Sequence, residues 1–431
     1  MCSDSAVSWR NGDFLEFCEM NFLFTIACVY YMCQVSMKYV FVLSLCFASL
    51  LWCSCHAAEE KMSYWQVQRK GANFFNKTPS EEWFIAAKDA GIHFARLAPD
   101  KWHCEQRDFL LGNADAFQEI SHPDFQKLKT TLDQAHRHDI KVVVTLLSLP
   151  GARWKQNNHN QKDFRIWQSK EYQAQAILFW KKLACLLKDH PAVVGYNILN
   201  EPHPERVSGI GDFGIIDFQK WYKSVTGSCA DLNLFYQQMV KTIREVDAHT
   251  PIIVDVGLCA TPWAISYLTP INDPGVIYSF HMYEPEGYTT KRINNSCYQY
   301  PGTMPILLED AERTIYWDKN TLKEFLEPVS AWQSKYRIPS SQILVGEFGC
   351  DRTAQGADKY LNDLIQVFNA NKWHWAFYSF REDCWDAMDY ELGPRKLDWD
   401  YWSAIEQGIS IDPFRHNNCV FDVIKKGLQL N

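Results

Sequence analysis

From Lys70 to Glu382 the chain alternates short, nearly unbroken apolar runs with longer stretches whose apolar residues recur at three- and four-residue spacing. The runs are GANFFN (Gly71 to Asn76), HFARLAPD (His93 to Asp100), KVVVTLLSLPG (Lys141 to Gly151), VVGYNILNEP (from Val193), PIIVDVG (Pro251 to Gly257), VIYSFHMYEP (Val276 to Pro285), ILVGEFGC (Ile343 to Cys350) and HWAFYSFRE (His374 to Glu382). Continuous apolarity, rather than alternation, is what a strand covered on both faces requires. The intervening patterns, such as DFQKLKTTLDQAHRHD and AQAILFWKKLACLLKDH, read as amphipathic helices. Strand-then-helix units in this order predict an α/β fold, an eight-stranded parallel (β/α) barrel of the TIM type, in a single domain without repeat or linker. The longest irregular connections, Trp154 to Ser169, His203 to Asp231 and Glu284 to Asn320, all follow strands and so would decorate the C-terminal face.

The N-terminal part departs from this rhythm. From Met37 a single Lys precedes an apolar run that ends in Cys55-His56-Ala57, the layout of a secretory signal cleaved before Ala58. The expected division is therefore 1–57, an upstream segment plus signal, and 58–431, the barrel. A secreted, extracellular or periplasmic protein would follow. An uncleaved membrane anchor is the alternative, because NFLFTIACVYYMCQV upstream is apolar as well.

Composition adds exclusions. The 431 residues are 47% hydrophobic and 22% charged, which suits a folded protein with a large core. A formal charge of -8 without a block of Lys or Arg argues against nucleic acid or an anionic membrane as partner. The aromatic share is 15%, with 17 Trp, a level that fits core packing and also fits stacking platforms for sugar rings. Cys104, Cys185, Cys229, Cys259, Cys297, Cys350, Cys384 and Cys419 follow the signal. In an oxidising compartment they predict one or two disulfides, with Cys185 and Cys259 as ordinary core. No Cys or His pair has zinc-ligand spacing, so no metal is expected.

Polar residues close the apolar runs. Arg96 ends the second, Asn200 and Glu201 the fourth, His281 and Tyr283 the sixth and Glu347 the seventh. In a barrel such strand ends converge on one bowl however far apart they lie in sequence. Two carboxylates facing one another there are the minimum equipment for glycoside hydrolysis. The plainer alternative is a pair of salt-bridged glutamates at the barrel mouth.

YNILNEP, followed by SFHMYEP and then ILVGEFG, resembles glycoside hydrolase family 5, the cellulase family, in strand order over nearly the whole segment after the signal. The resemblance implies Glu201 as acid/base and Glu347 as nucleophile. It implies further that Asn200 meets the sugar 2-hydroxyl, Arg96 and Tyr283 bond to the nucleophile, and His281 lies near the acid/base. Arg96 and the Tyr283 hydroxyl should then hold Glu347 as the anion, whose charge should keep Glu201 protonated. The activity implied is retaining hydrolysis of a β-linked polysaccharide, foremost an endo-β-1,4-glucanase. A β-mannanase, an exo-β-1,3-glucanase or a non-catalytic sugar-binding protein on the same scaffold are the alternatives. No cofactor is required, and a monomer is expected.

Two departures from the family pattern stand out. Where many members carry a His at the end of strand three, Leu149-Pro150-Gly151 stands here, with Trp154 just beyond as a substrate contact. The sugar platform after strand eight falls among Trp375, Tyr378, Phe380 and Trp385, with Trp385 preferred. Trp102, Trp263, Tyr288 and Trp317 are further candidates for stacking, Asp100 reads as a cleft residue or a turn cap, and Asn76 and Asn294 open glycosylation sequons.

Overall fold

Every apolar run forms a strand in the computed structural model, which describes residues 61–210, 215–306 and 313–430. The strands are β1 (Lys70–Phe74), β2 (Phe94–Leu97), β3 (Lys141–Thr145), β4 (Val193–Asn197), β5 (Ile252–Asp255), β6 (Val276–Met282), β9 (Ile343–Phe348) and β10 (His374–Phe377). They are hydrogen-bonded in the order β1-β10-β9-β6-β5-β4-β3-β2 and close into a barrel. All neighbouring pairs are parallel. Helices such as Lys170–Leu187 and Ala357–Ala370 surround it. The first of these starts on a Ser169 hydroxyl that accepts from the Glu171 N–H and buries Trp180, whose Nε1 donates to the Ile198 carbonyl at 2.9 Å.

Strand parity divides the lumen into two layers. Phe94, Val143, Val194, Ile253, Ile277, Leu344 and Ala376 point inward at one end, where Trp65 closes the floor. Two residues further along β2, β3, β5 and β6 come Arg96, Thr145, Asp255 and Ser279, all fully or almost fully buried. An apolar plug therefore sits under a polar layer, and the polar layer faces the C-terminal mouth.

Several expectations need correction. The third run stops being a strand at Thr145, because the Asp100 carboxylate takes the N–H groups of Leu147 and Ser148 at 3.1 and 2.8 Å and turns the chain. Asp100 is thus a loop brace. The connection from Glu284 to Asn320 is not irregular throughout: β7 (Gly302–Pro305) and β8 (Thr314–Trp317) pair as an antiparallel hairpin. No disulfide forms among the described residues; the eight cysteines after the expected signal are free thiols, scattered over separate helices and loops. Cys185 is exposed rather than core. Both sequon asparagines are internal. The Asn76 amide donates to the Arg381 carbonyl, and the Asn294 amide to those of Tyr288 and Tyr298. The expected signal, residues 37–57, lies outside the described residues. Among those described, no helix is long and apolar enough to cross a membrane.

Candidate active site

Glu201 stands four residues beyond the end of β4, in a left-handed backbone conformation with φ of 48°. A non-glycine residue adopts that conformation only when its surroundings hold it there. Here the Asp255 carboxylate, at the end of β5, accepts from the Glu201 N–H at 3.2 Å. The Glu201 carboxyl meets His281 Nδ1 at 2.9 Å. The pairing of β6 with β9 shifts register between Phe280 and His281, which re-aims the imidazole at the mouth. Gly346 makes room for it, since a Cβ there would lie 2.9 Å from His281 Nε2.

Glu347, on β9, is held at both oxygens. Oε1 accepts from Arg96 Nη1 at 2.6 Å and Oε2 from the Tyr283 hydroxyl at 2.8 Å. Arg96 is fully buried and spends its remaining donors on neighbouring strands. Nε donates to Asn197 at 2.9 Å, Nη1 also to Asn73 at 3.0 Å, and Nη2 to Asn200 at 2.7 Å and Asp255 at 3.3 Å. One guanidinium thereby ties the ends of β1, β4, β5 and β9 to β2. Its truncation, Arg96→Ala, would leave the Glu347 and Asp255 carboxylates buried without their counter-ion. We expect urea unfolding to report a loss of about 3–5 kcal/mol.

Ligand atoms of Glu201, His281 and Glu347 lie within 4.8 Å of one another. This spacing brings the two carboxylates near the roughly 5–5.5 Å of retaining glycosidases and well short of the roughly 6.5–9.5 Å of inverting ones. The same three groups could be read as cation ligands. The Arg96 guanidinium against Glu347 opposes a metal ion there, so the donor set suits proton transfer and covalent chemistry better.

Burial first and the Asp255 charge second raise the Glu201 carboxyl to about 7, against the lowering effect of Arg96 and Arg206. Asp255 thus adds a charge beside Glu201 that the sequence reading did not include. Burial also lowers His281, which keeps the ring neutral near pH 7. A neutral ring carries one N–H. With Glu201 ionised, Nδ1–H donates to it; with Glu201 protonated, Nδ1 accepts and Nε2–H faces Asp255, 3.5 Å away. His281 can follow the proton in either direction.

Around this centre lies a cavity of about 360 Å³ whose walls include Phe75, Trp154, Asn200, Tyr283, Tyr378 and Trp385. Glu201, Glu347, Asn200, His281, Tyr283, Trp154 and Trp385 therefore line one cavity, and Arg96 reaches it from beneath through Glu347. Tyr378, one residue past the end of β10, keeps the parity of the inward-pointing Ala376, and its ring lines the cavity beside Trp385, with centroids 6.0 Å apart. Trp375, by contrast, is wholly buried outside the lumen. Trp102, Tyr288 and Trp317 are buried in the core too, and Trp263 packs on Phe218. Sequence reading missed Asp255, although it closes an apolar run as Glu201 does. Asn73 and Asn197, polar within strands, carried the same signal.

A closed parallel barrel presenting two facing carboxylates from its fourth and seventh strands is the architecture of the barrel glycosidases. The chain belongs to one family of them: the family described as Cellulase (glycosyl hydrolase family 5) matches residues 55–383. Among curated relatives, a β-xylosidase of Phanerodontia chrysosporium is 21% identical over 74% of this chain and 61% of its own length. An endoglucanase of Paenibacillus polymyxa is 23% identical over 68% of this chain and 69% of its own. The solved endoglucanase Cel5A of Thermotoga maritima superposes with a TM-score of 0.57 at 17% identity, over 84% of this chain and 99% of that one. At that identity the likeness concerns the fold.

Proposed function

We propose that this protein is a retaining β-glycosidase that cleaves a β-linked glucan, with Glu347 as nucleophile and Glu201 as acid and then base. The observation that carries the reading is the facing pair itself: Glu347 fixed by Arg96 and Tyr283, Glu201 raised to about 7 and bonded to His281, with oxygens within 4.8 Å. Glu347 attacks the anomeric carbon as Glu201 gives its proton to the leaving oxygen, and a glycosyl ester forms. Esterification removes the Glu347 charge, and Glu201, now the base, takes a proton from the incoming water. Asn200, joined to Arg96 through its carbonyl oxygen, has its amide N–H groups left for a sugar hydroxyl. Tyr378 and Trp385 supply stacking surface.

An endo-acting β-1,4-glucanase is the first choice, since the endoglucanase relative points that way. The reading extends to export through residues 37–57 and to a catalytic unit over 58–431. Reducing-end release from carboxymethyl cellulose, mixed-linkage glucan, glucomannan, galactomannan and laminarin tests it. Cleavage of the first two selects β-glucanase, cleavage of mannans or laminarin selects those activities instead, and binding without any cleavage would leave a sugar-binding protein.

Because Glu201 must start protonated, kcat/KM should fall as pH rises through about 7. Asp255→Asn removes a charge that raises Glu201. The alkaline limb of its pH–rate profile is therefore expected to move to lower pH. An unmoved limb would show that Asp255 does not act on the acid.

A further inference from the structure

The two walls of the active-site cavity differ in chemistry. Going round the barrel from Glu347 on β9, the loops after β10, β1 and β2 bring Tyr378, Trp385, Phe75 and Lys101 to one wall, and those after β6 and β5 bring Glu284, Glu286 and Thr261 to the other. In a double displacement the glycone becomes bonded to the nucleophile while the leaving group departs past the acid. Glu201 follows β4, the neighbour of β5, so the wall of acids and hydroxyls is the one on its side. That wall meets the leaving group.

Two carboxyl groups stand on it, and only one is engaged. Glu284 accepts from the Thr261 hydroxyl at 3.3 Å and from the Tyr283 N–H at 3.2 Å, so each of its oxygens has a donor. Glu286 accepts no side-chain hydrogen bond and forms no ion pair among the described residues, although its Oε2 is shut away from solvent. The cation of the opposite wall, Lys101, is held by Glu382 at 3.2 Å. Burial raises the Glu286 carboxyl, Arg292 lowers it without pairing with it, and the Glu201 charge raises it again, which sets Glu286 beside the acid. Its backbone is pinned on both sides: the Tyr360 hydroxyl donates to the Glu284 carbonyl at 2.8 Å, and the Asp351 N–H to the Thr289 carbonyl at 2.8 Å. A carboxylate that has given up part of its hydration without gaining a donor is costly. On the wall of a ligand cavity, the donor that completes it is a hydroxyl of the ligand.

We propose that Glu286 is a specificity-determining residue on the leaving-group side, where its carboxylate accepts from a hydroxyl of the first sugar unit beyond the cleaved bond. The leaving group is then a saccharide rather than an apolar alcohol, because an alcohol without hydroxyls leaves the acceptor unpaired. The proposal rests on the glycosidase reading and narrows its substrate. It assigns Glu286 no part in the chemical step.

The test measures kcat/KM on an oligosaccharide of whichever backbone the wild type cleaves and on the 4-nitrophenyl glycoside of the same glycone, whose leaving group carries no sugar hydroxyl. In Glu286→Ala the ratio of the first to the second is expected to fall about 10- to 100-fold, the size of a hydrogen bond to a charged group. Glu286→Gln, which keeps an acceptor oxygen, should recover part of the loss. Oligosaccharides with one hydroxyl of the leaving unit replaced by hydrogen locate the contact: one such position should lower the wild-type kcat/KM by a similar factor and have no further effect in Glu286→Ala. An unchanged ratio, with both substrates slowed alike, would make Glu286 a structural residue or a charge acting on Glu201 and would overturn the proposal. So would deoxy effects that persist undiminished in the variant. A wild type that cleaves no oligosaccharide and no nitrophenyl glycoside would instead sink the glycosidase reading, so the two failures are distinct.

Discussion

Replacing Glu347 with Ala is expected to lower kcat on the cleaved glycan by ~10⁴-fold or more while leaving glycan binding measurable. Its two oxygens are held at the mouth by the Arg96 guanidinium and the Tyr283 hydroxyl. Its removal takes away the proposed covalent route, whereas Tyr378, Trp385 and Asn200, which line the cavity, stay in place. Loss of an anion against Arg96 also has a structural consequence, so folding should be checked by unfolding in urea. Glu347→Gln keeps the shape and one acceptor oxygen and should be as inactive. A variant that cleaves at the wild-type rate would show that another group forms the ester. A folded variant that has lost binding as well would show that Glu347 serves the ground state.

The second large effect concerns Glu201. Glu201→Gln is expected to cost about 10²–10⁴-fold on a glycan, whose leaving oxygen needs a proton. With a 2,4-dinitrophenyl glycoside the leaving group departs without protonation, so the first step should be nearly unimpaired and the glycosyl ester should accumulate as a burst. The alkaline limb near pH 7 should disappear with the acid that causes it. Equal losses on both substrates would contradict the acid role, because a merely positional contribution of Glu201 does not depend on the leaving group. These two variants also separate the residues from one another: in the first step the nucleophile variant fails on every substrate, the acid variant only where the leaving group needs a proton.

Much of this site was readable along the chain because a parallel barrel converts strand ends into neighbours. Arg96, Asn200, Glu201, His281, Tyr283 and Glu347 each close an apolar run, and closure of the sheet alone brings them together. The same rule should have included Asp255. What eluded reading was anything that depends on how loops return to the barrel. YSFREDCW offered several rings, and the choice of Tyr378 with Trp385 followed from the inward parity of β10 and the course of the next loop. Asn76 and Asn294 look like surface acceptors as triplets, yet their amides are consumed by carbonyls distant in the first case and local in the second.

The amino-acid order by itself determined the eight barrel strands, their parallel arrangement and the acids at the mouth, since periodicity and strand-terminal polarity are local properties. Only the tertiary structure decided that Asp255 stands against Glu201, which aromatic rings reach the mouth, and that the cysteines remain apart. Those are matters of distance and burial between residues far apart in the chain, and electrostatic effects in a folded protein depend on exactly those two quantities.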